Sequence, residues 1–235
     1  MAKKLEYFVK VVVSEYFKGQ VFNVLEAGTA QGSDSQELCA LLPNAKIYGF
    51  EPDARYHSQV YQKTAGYNNF LFNKKALSDK SGTTTFYQAD RVTPTEKSHW
   101  GSSSIFEPKL HKQIHQDIKF NGVVEVETTD IDSWAAQNNV STIGFMWLDL
   151  QGAEYNVLKD CKILDTTDII FSEVSLVELY DGIVLYDKYR EMLRSRGFIP
   201  VIEQLPWDDA GNVLFVRQTK RNKVYGIVNA LGGFQ

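Results

Sequence analysis

The chain has 235 residues, enough for one α/β domain, and 43% of them are hydrophobic, which excludes a disordered chain. A formal charge of −4 and a pI near 5.6 weigh against a protein that coats nucleic acid, so no nucleic-acid partner is expected. The two cysteines, Cys39 and Cys161, have neither disulfide-framework nor zinc-ligand spacing, and no apolar run reaches the roughly 18–20 residues of a membrane span.

The start, Met1-Ala2-Lys3-Lys4, lacks a signal-peptide core, so a cytoplasmic protein is expected. Leu5, Phe8, Val9, Val12, Val13, Tyr16 and Phe17 recur at helical spacing and predict an amphipathic helix over 3–18. Its polar face carries both charge signs, which favours packing on its own sheet over a membrane surface. Apolar runs over 21–27, 45–50 and 69–73 then alternate with helical patterns over 33–42 and 53–64, the βαβ rhythm of a doubly wound parallel sheet. The turn Asp79-Lys80-Ser81-Gly82 introduces an extra strand over 83–88. Residues 90–121 are polar, rich in Ser, Lys and His and without periodicity, so they read as a functional loop or lid.

A strand over 123–128 and a helix opened by Asp130 or Asp132 follow. Strands over 143–150 and 168–174 then alternate with helices over 153–159 and 186–196. The runs 198–204 and 212–217 are joined by a connection too short for a crossover helix, so this last pair is antiparallel. A terminal extension, 218–235, carries a basic patch and an apolar tail. It is expected to dock on its own domain or on a second subunit, which leaves a homodimer open. With no linker and no repeat, the expectation is a single domain over 1–235 with its core at about 21–217.

In an open doubly wound sheet, ligands bind beyond the carboxyl ends of the strands. The residues that follow the predicted strands are Glu26 through Gly32, Glu51-Pro52, Lys75 through Asp79, Asp149 through Glu154, and Glu173. Two cofactor classes compete for that rim. A dinucleotide would lay its pyrophosphate on glycines at G-x-G-x-x-G, but here the spacing is Gly28-x-x-x-Gly32 with Ala30 between. S-adenosylmethionine carries a sulfonium and an ammonium, which Glu26 would attract, and Glu51 could accept hydrogen bonds from both ribose hydroxyls. Glu26 as a merely solvated turn residue is the plain alternative.

These residues resemble a known family. The segments Leu25 through Gly32, Gly49-Phe50-Glu51-Pro52, Lys75 through Asp79 and Leu148 through Glu154 are similar to the successive motifs of FkbM-type methyltransferases, in order, over roughly residues 21–217. The resemblance implies a Rossmann-like class I methyltransferase fold, α/β, with a seven-stranded, mostly parallel sheet whose last strand is antiparallel. It also implies S-adenosylmethionine as cofactor and O-methylation of a hydroxyl on a sugar, polysaccharide or related small molecule. Carried over by position, Glu26, Gly28, Thr29 and Gly32 would form the methionine-side turn, Glu51 and Pro52 the ribose contact, and Ala76 and Leu77 the adenine pocket. Asp149 would sit beside the methyl group and the acceptor. A non-catalytic binding protein that keeps the fold, and a NAD-dependent oxidoreductase, are the alternatives.

Asp149 ends a central strand and is the first candidate for base or acceptor anchor, with helix capping as its plain reading. Glu154 would take a catalytic or orienting role, or cap the same helix. His99, beside Trp100 and a run of small residues, could stack on a sugar and share a proton, or be a surface histidine. His111 and His115 lack the Glu of a H-E-x-x-H site, so no metal ligand is assigned. A Mg²⁺ held by Asp149, Glu154 and Glu173 stays open, although nothing in their spacing demands it.

Overall fold

Strands buried on both faces read as continuous apolar runs, and those runs build the centre of this molecule. The computed structural model describes residues 5–93 and 97–234. Helix α1 (Leu5–Tyr16) leads into β1 (Phe22–Ala27), α2 (Ser33–Leu41), β2 (Ala45–Phe50), α3 (His57–Thr64) and β3 (Phe70–Asn73). Next come β4 (Ala76–Leu77), β5 (Gly82–Val92), β6 (Lys97–His99), α4 (His111–Ile114) and β7 (Ile118–Thr129). The chain continues through α5 (Ile131–Gln137), β8 (Phe145–Leu148), α6 (Glu154–Leu158), β9 (Ile169–Ser175) and α7 (Tyr186–Ser195). It closes with β10 (Phe198–Gln204), β11 (Ala210–Arg217) and α8 (Arg221–Ala230). Positions 3 and 4 of the predicted first helix, and residue 235 of the extension, lie outside the described residues.

Seven strands form one sheet in the order β10-β11-β9-β8-β1-β2-β3. Every pairing is parallel except those of β11, which runs antiparallel to both β9 and β10, as the short final connection predicts. Successive residues feed opposite cores. Leu25, Met146 and Ile170 enter one apolar cluster, while Val24, Phe145 and Ile169 enter the other. The first helix packs into this second cluster beside Trp147 and Phe171, together with Val224 and Val228 of α8. Lys223 Nζ donates to Tyr16 O at 2.7 Å, so the terminal extension docks on its own chain. Among the described residues no helix is long and apolar enough to cross a membrane.

Register aligns the strand ends. Ala27 pairs with both Phe50 and Leu148, and Leu148 pairs with Ser172. The next residue along each strand therefore falls in one row: Gly28, Glu51, Asp149 and Glu173.

The middle of the chain differs from expectation. Residues 90–121 are not one irregular loop, because β5 runs on to Val92 and β7 begins at Ile118, making a long hairpin in a second sheet of order β4-β7-β5-β6. A bulge at Gln88/Ala89 and exposure on much of β7 break the period-2 signal, which hides these strands from a pattern reading. The second predicted helix starts at His57 and not at Asp53, because Asp53 Oδ1 accepts the Arg55 N–H at 3.1 Å and turns the chain first. Asp130 caps α5 by accepting the Ser133 N–H at 2.8 Å.

Candidate active site

A cavity of about 600 Å³, counted to its open mouth, lies where the row of strand ends faces the second sheet. That size suits a small-molecule ligand. One wall comes from Gly28, Ala30, Glu51, Pro52 and Asp149, and the other from Ala76, Leu77, Phe86 and Ile105. The segment 101–105, inside the predicted lid, also covers it, so that expectation is right about position although wrong about irregularity.

Backbone closeness shapes the polar wall. Gly28 has φ +84°, and a Cβ there would come 1.9 Å from the Asp149 carbonyl oxygen. Gly28 N–H and Thr29 N–H both donate to Phe50 O, and Asp149 N–H donates to Ala27 O. The first turn is thus pinned between β2 and β8. Gly32 has φ +79° and packs α2 against α3, where a Cβ would meet Val60 Cα at 3.0 Å. Thr29 is buried beside Gly49. Neither Thr29 nor Gly32 lines the cavity, so they shape the turn from behind.

Glu51 does line it. Its Oε2 accepts the Ala30 N–H and its Oε1 the Asp53 N–H, each at 2.8 Å. Each oxygen keeps a lone pair for a further donor. Burial pushes this carboxyl up to about 7, against the two N–H bonds that lower it. Glu26 is wholly buried and is not among the cavity's walls. Its Oε1 accepts the Ser35 O–H at 2.9 Å, while Oε2 has no partner among the described residues. Burial raises Glu26 to about 8.

Asp149 opens onto the cavity with accessible surface although protein surrounds that space, and it is raised from the ordinary aspartate range, first by desolvation. Glu154 fits the orienting or capping reading by its place in the fold, and not the catalytic one. It is buried, with Oε1 accepting the Leu150 N–H at 2.6 Å and Oε2 the Gly152 N–H at 3.0 Å, so it fastens the turn that carries Asp149 and does not reach the cavity. His99 lies in an adjoining cleft with Gln31, Tyr56, Gln59 and Ser98. Its Nδ1 is 3.0 Å from Asp90 Oδ1 and 3.3 Å from Arg55 Nη1. Among the described residues no group of three His, Cys, Asp or Glu side chains is arranged to hold a metal ion.

Sequence reasoning passed over several groups. Arg55 pairs with Asp53 at 2.6 Å and Asp90 at 2.9 Å, tying the Glu51 loop to the second sheet. Tyr56 forms a wall of both cavity and cleft. Tyr180 and Gln151 stand behind Asp149; Gln151, in the strand-end segment after β8, and Glu173 carried a sequence signal, whereas Tyr180 did not. Asp53 and Arg55 follow Glu51 directly, so reading further past each strand would have found them.

The residues fit S-adenosylmethionine better than a dinucleotide. Two carboxylates, Glu51 and Asp149, face a cavity with one lysine, Lys75, and would repel a pyrophosphate while favouring a cationic sulfonium. The apolar wall of Ala76, Leu77 and Phe86 suits a flat ring. The unpartnered Glu26 Oε2 adds a buried acceptor behind the same turn.

Comparison with known proteins agrees. The profile of the Methyltransferase FkbM domain matches residues 26–200. The 2-O-methyltransferase NoeI of Sinorhizobium fredii is 31% identical over 199 residues, spanning 84% of this chain and 79% of that protein. Among solved structures, the N-terminal domain of EvdMO1 with SAH bound is 11% identical with a TM-score of 0.49, covering 92% of this chain and 82% of that one. The fibrillarin pre-rRNA processing protein of Methanococcus jannaschii has the same identity and TM-score, over 84% of this chain and 67% of that one.

Proposed function

The chain belongs to the FkbM methyltransferase family and is an S-adenosylmethionine-dependent methyltransferase, and we propose that it methylates a hydroxyl oxygen of a sugar or related small molecule. The observation that carries this reading is Asp149, an accessible carboxylate at the end of a central strand, opening into the cavity that Glu51 also lines. The 2-O-methyltransferase among its relatives supports oxygen as the accepting atom. Family membership displaces both the oxidoreductase and the non-catalytic alternatives.

Bound in the cavity, S-adenosylmethionine supplies an electrophilic methyl group. Glu51 would accept from the ribose hydroxyls, Ala76, Leu77 and Phe86 would flank the adenine, and the Gly28 turn would keep the reacting end close to Asp149. Asp149 receives the acceptor's hydroxyl proton as the new oxygen–carbon bond forms. Holding the reactants in line is worth roughly 7–11 kcal/mol, against roughly 3–5.5 for a base, so positioning is the larger share.

Thermal unfolding with S-adenosylmethionine, its demethylated thioether, NAD and no ligand tests the cofactor. A ligand at 100 times its Kd adds about 2.7 kcal/mol, or roughly 5–11 °C at this chain length. Stabilisation by the first two alone is expected, and stabilisation by NAD alone would overturn the assignment. Label transfer from methyl-labelled cofactor to a panel of hydroxylated sugars, with amine and nucleic-acid acceptors as controls, tests the acceptor class.

Glu51→Ala should weaken cofactor binding by roughly 1.5–3 kcal/mol, the range of hydrogen bonds to a charged group. The wild type carries a pH signature as well. Hydroxyl donors favour the ionised carboxylate, so binding releases a proton below about 7, the raised pKa of Glu51. Affinity therefore rises with pH up to that value and then levels off, by at most about tenfold per unit. Calorimetry on Glu51→Gln should find that component of the rise gone. An unchanged profile would remove Glu51 from the ribose.

A further inference from the structure

Asp149 has a neighbour that the reaction outlined above leaves unused. The Leu148–Ser172 pairing of two parallel strands sets Asp149 beside Glu173. Gln151 spans them, its Nε2 donating to Asp149 Oδ1 and to Glu173 Oε2, each at 2.7 Å. Both amide hydrogens are thereby used. The amide oxygen, Oε1, lies 2.7 Å from the Tyr180 hydroxyl, which is its donor. Tyr180 is 1% exposed and its hydroxyl has one hydrogen, with Ser102 O, at 2.8 Å, the competing acceptor. When that hydrogen goes to Gln151, it dictates which end of the amide faces the carboxyls.

The backbone supports the same arrangement. Gln151 has φ +52°, a left-handed conformation uncommon outside glycine and unfavourable for a side chain of this length. Its carbonyl accepts the Ser104 O–H at 2.8 Å, and the following Gly152 has φ +101°. A strained residue held by hydrogen bonds at both backbone and side chain is placed for its amide.

We propose that Asp149 and Glu173 form a one-proton pair, clamped by the Gln151 amide and oriented by Tyr180, in which Glu173 keeps the proton and Asp149 stays free to take the acceptor's hydrogen. This rests on the methyl-transfer reading of the cavity. Asp149 is the catalytic residue, while Glu173, Gln151 and Tyr180 act through it as positioning residues.

Two carboxyls bridged by one amide and this close to each other do not both ionise readily. Burial and the neighbouring Asp149 push Glu173 well above the usual glutamate range. The other groups bearing on the pair are acidic or neutral: Glu154 from α6, Asp209 from the β10–β11 connection, Asp34 from α2, Glu51 beyond β2, and Tyr180. His115 Nε2 faces Asp209 Oδ2 at 2.6 Å and engages that carboxylate. In turnover, the acceptor oxygen bonds to the methyl carbon as the carbon–sulfur bond breaks with its electron pair going to sulfur. The hydroxyl proton passes to Asp149, and the pair, now holding two protons, returns one to solvent through the cavity mouth.

The test pairs infrared spectroscopy of the cofactor-free protein with kinetics. Difference spectra of wild type against Glu173→Gln at neutral pH should reveal one protonated carboxyl lost with that side chain, apart from the contributions of Glu26, Glu51 and Glu154 common to both. Gln151→Met removes donors that favour the charged form, so the rising limb of kcat against pH should move up by about one unit or more, with the rate at high pH recovering to within about threefold. Tyr180→Phe should move the same limb in the same direction, by less, with the KM for cofactor unchanged. An infrared difference without a lost protonated carboxyl overturns the pair. A Gln151→Met rate depressed equally at every pH overturns the clamp. Failure to methylate any hydroxyl acceptor sinks the functional reading alone, since the infrared result does not depend on it.

Discussion

Asp149→Asn should lower kcat by about 10²- to 10⁴-fold, the contribution of a positioned general base, while cofactor Kd changes little. Asparagine keeps the shape of the side chain and an oxygen to accept from Gln151, but it cannot take a proton at neutral pH. Stability should be maintained or raised, because the charged form of Asp149 is disfavoured in the fold and the neutral amide escapes that cost. A single-turnover rate at saturating cofactor, taken with the unfolding midpoint, distinguishes lost chemistry from lost structure. A rate within about threefold of wild type would make Asp149 an anchor and leave the reaction to positioning alone.

Gly28→Ala acts on structure. The added methyl would lie 1.9 Å from the Asp149 carbonyl oxygen, at a φ of +84° where an L side chain is already disfavoured. The turn must move off β8, stretching the Asp149 N–H bond to Ala27 O. Left-handed strain costs about 1–2 kcal/mol and overpacking about 1–3, for a loss of roughly 2–5 kcal/mol. At this chain length the midpoint should fall by about 4–20 °C, and cofactor binding should weaken with it. Gly66→Ala is the control, since a Cβ there meets nothing within 4 Å and φ is not positive, so a change within about 0.5 kcal/mol is expected. If the two substitutions proved equally mild, the close approach of β1 and β8 would not be what shapes the site.

The seven-stranded sheet was legible because its central strands are punctuated. Gly28 and Gly32 end β1's turn, Pro52 follows β2, and Gly152 follows β8, so periodicity had clear boundaries to work between. The hairpin of β5 and β7 was only partly legible, since Val123 and Val124 stand exposed and the register slips at Gln88/Ala89. For the site, strand-end position found Glu51, Asp149 and the apolar pair Ala76 and Leu77. For Glu154 the sequence left a catalytic role beside an orienting or capping one, and its bonds to the N–H groups of its own turn, which spacing does not reveal, favour the latter. Tyr180 reaches Gln151 from 29 residues away, through packing that no local pattern encodes.

The cavity lies in a seam between two sheets. Its walls are joined by apolar packing, of Leu77, Ile105 and Phe106 into the main core and of Phe120 against Leu179 and Tyr180, and by polar contacts: Arg55 with Asp90, Ser104 with the Gln151 carbonyl, and Tyr180 with Ser102 or Gln151. The polar contacts can break singly and re-form, whereas the apolar packing beside them yields only cooperatively. Ligand entry and exit can thus combine the cavity's open mouth with local breathing of those polar contacts, with the seven-stranded sheet undisturbed. A molecule built this way can exchange what it holds many times over within the lifetime of its fold.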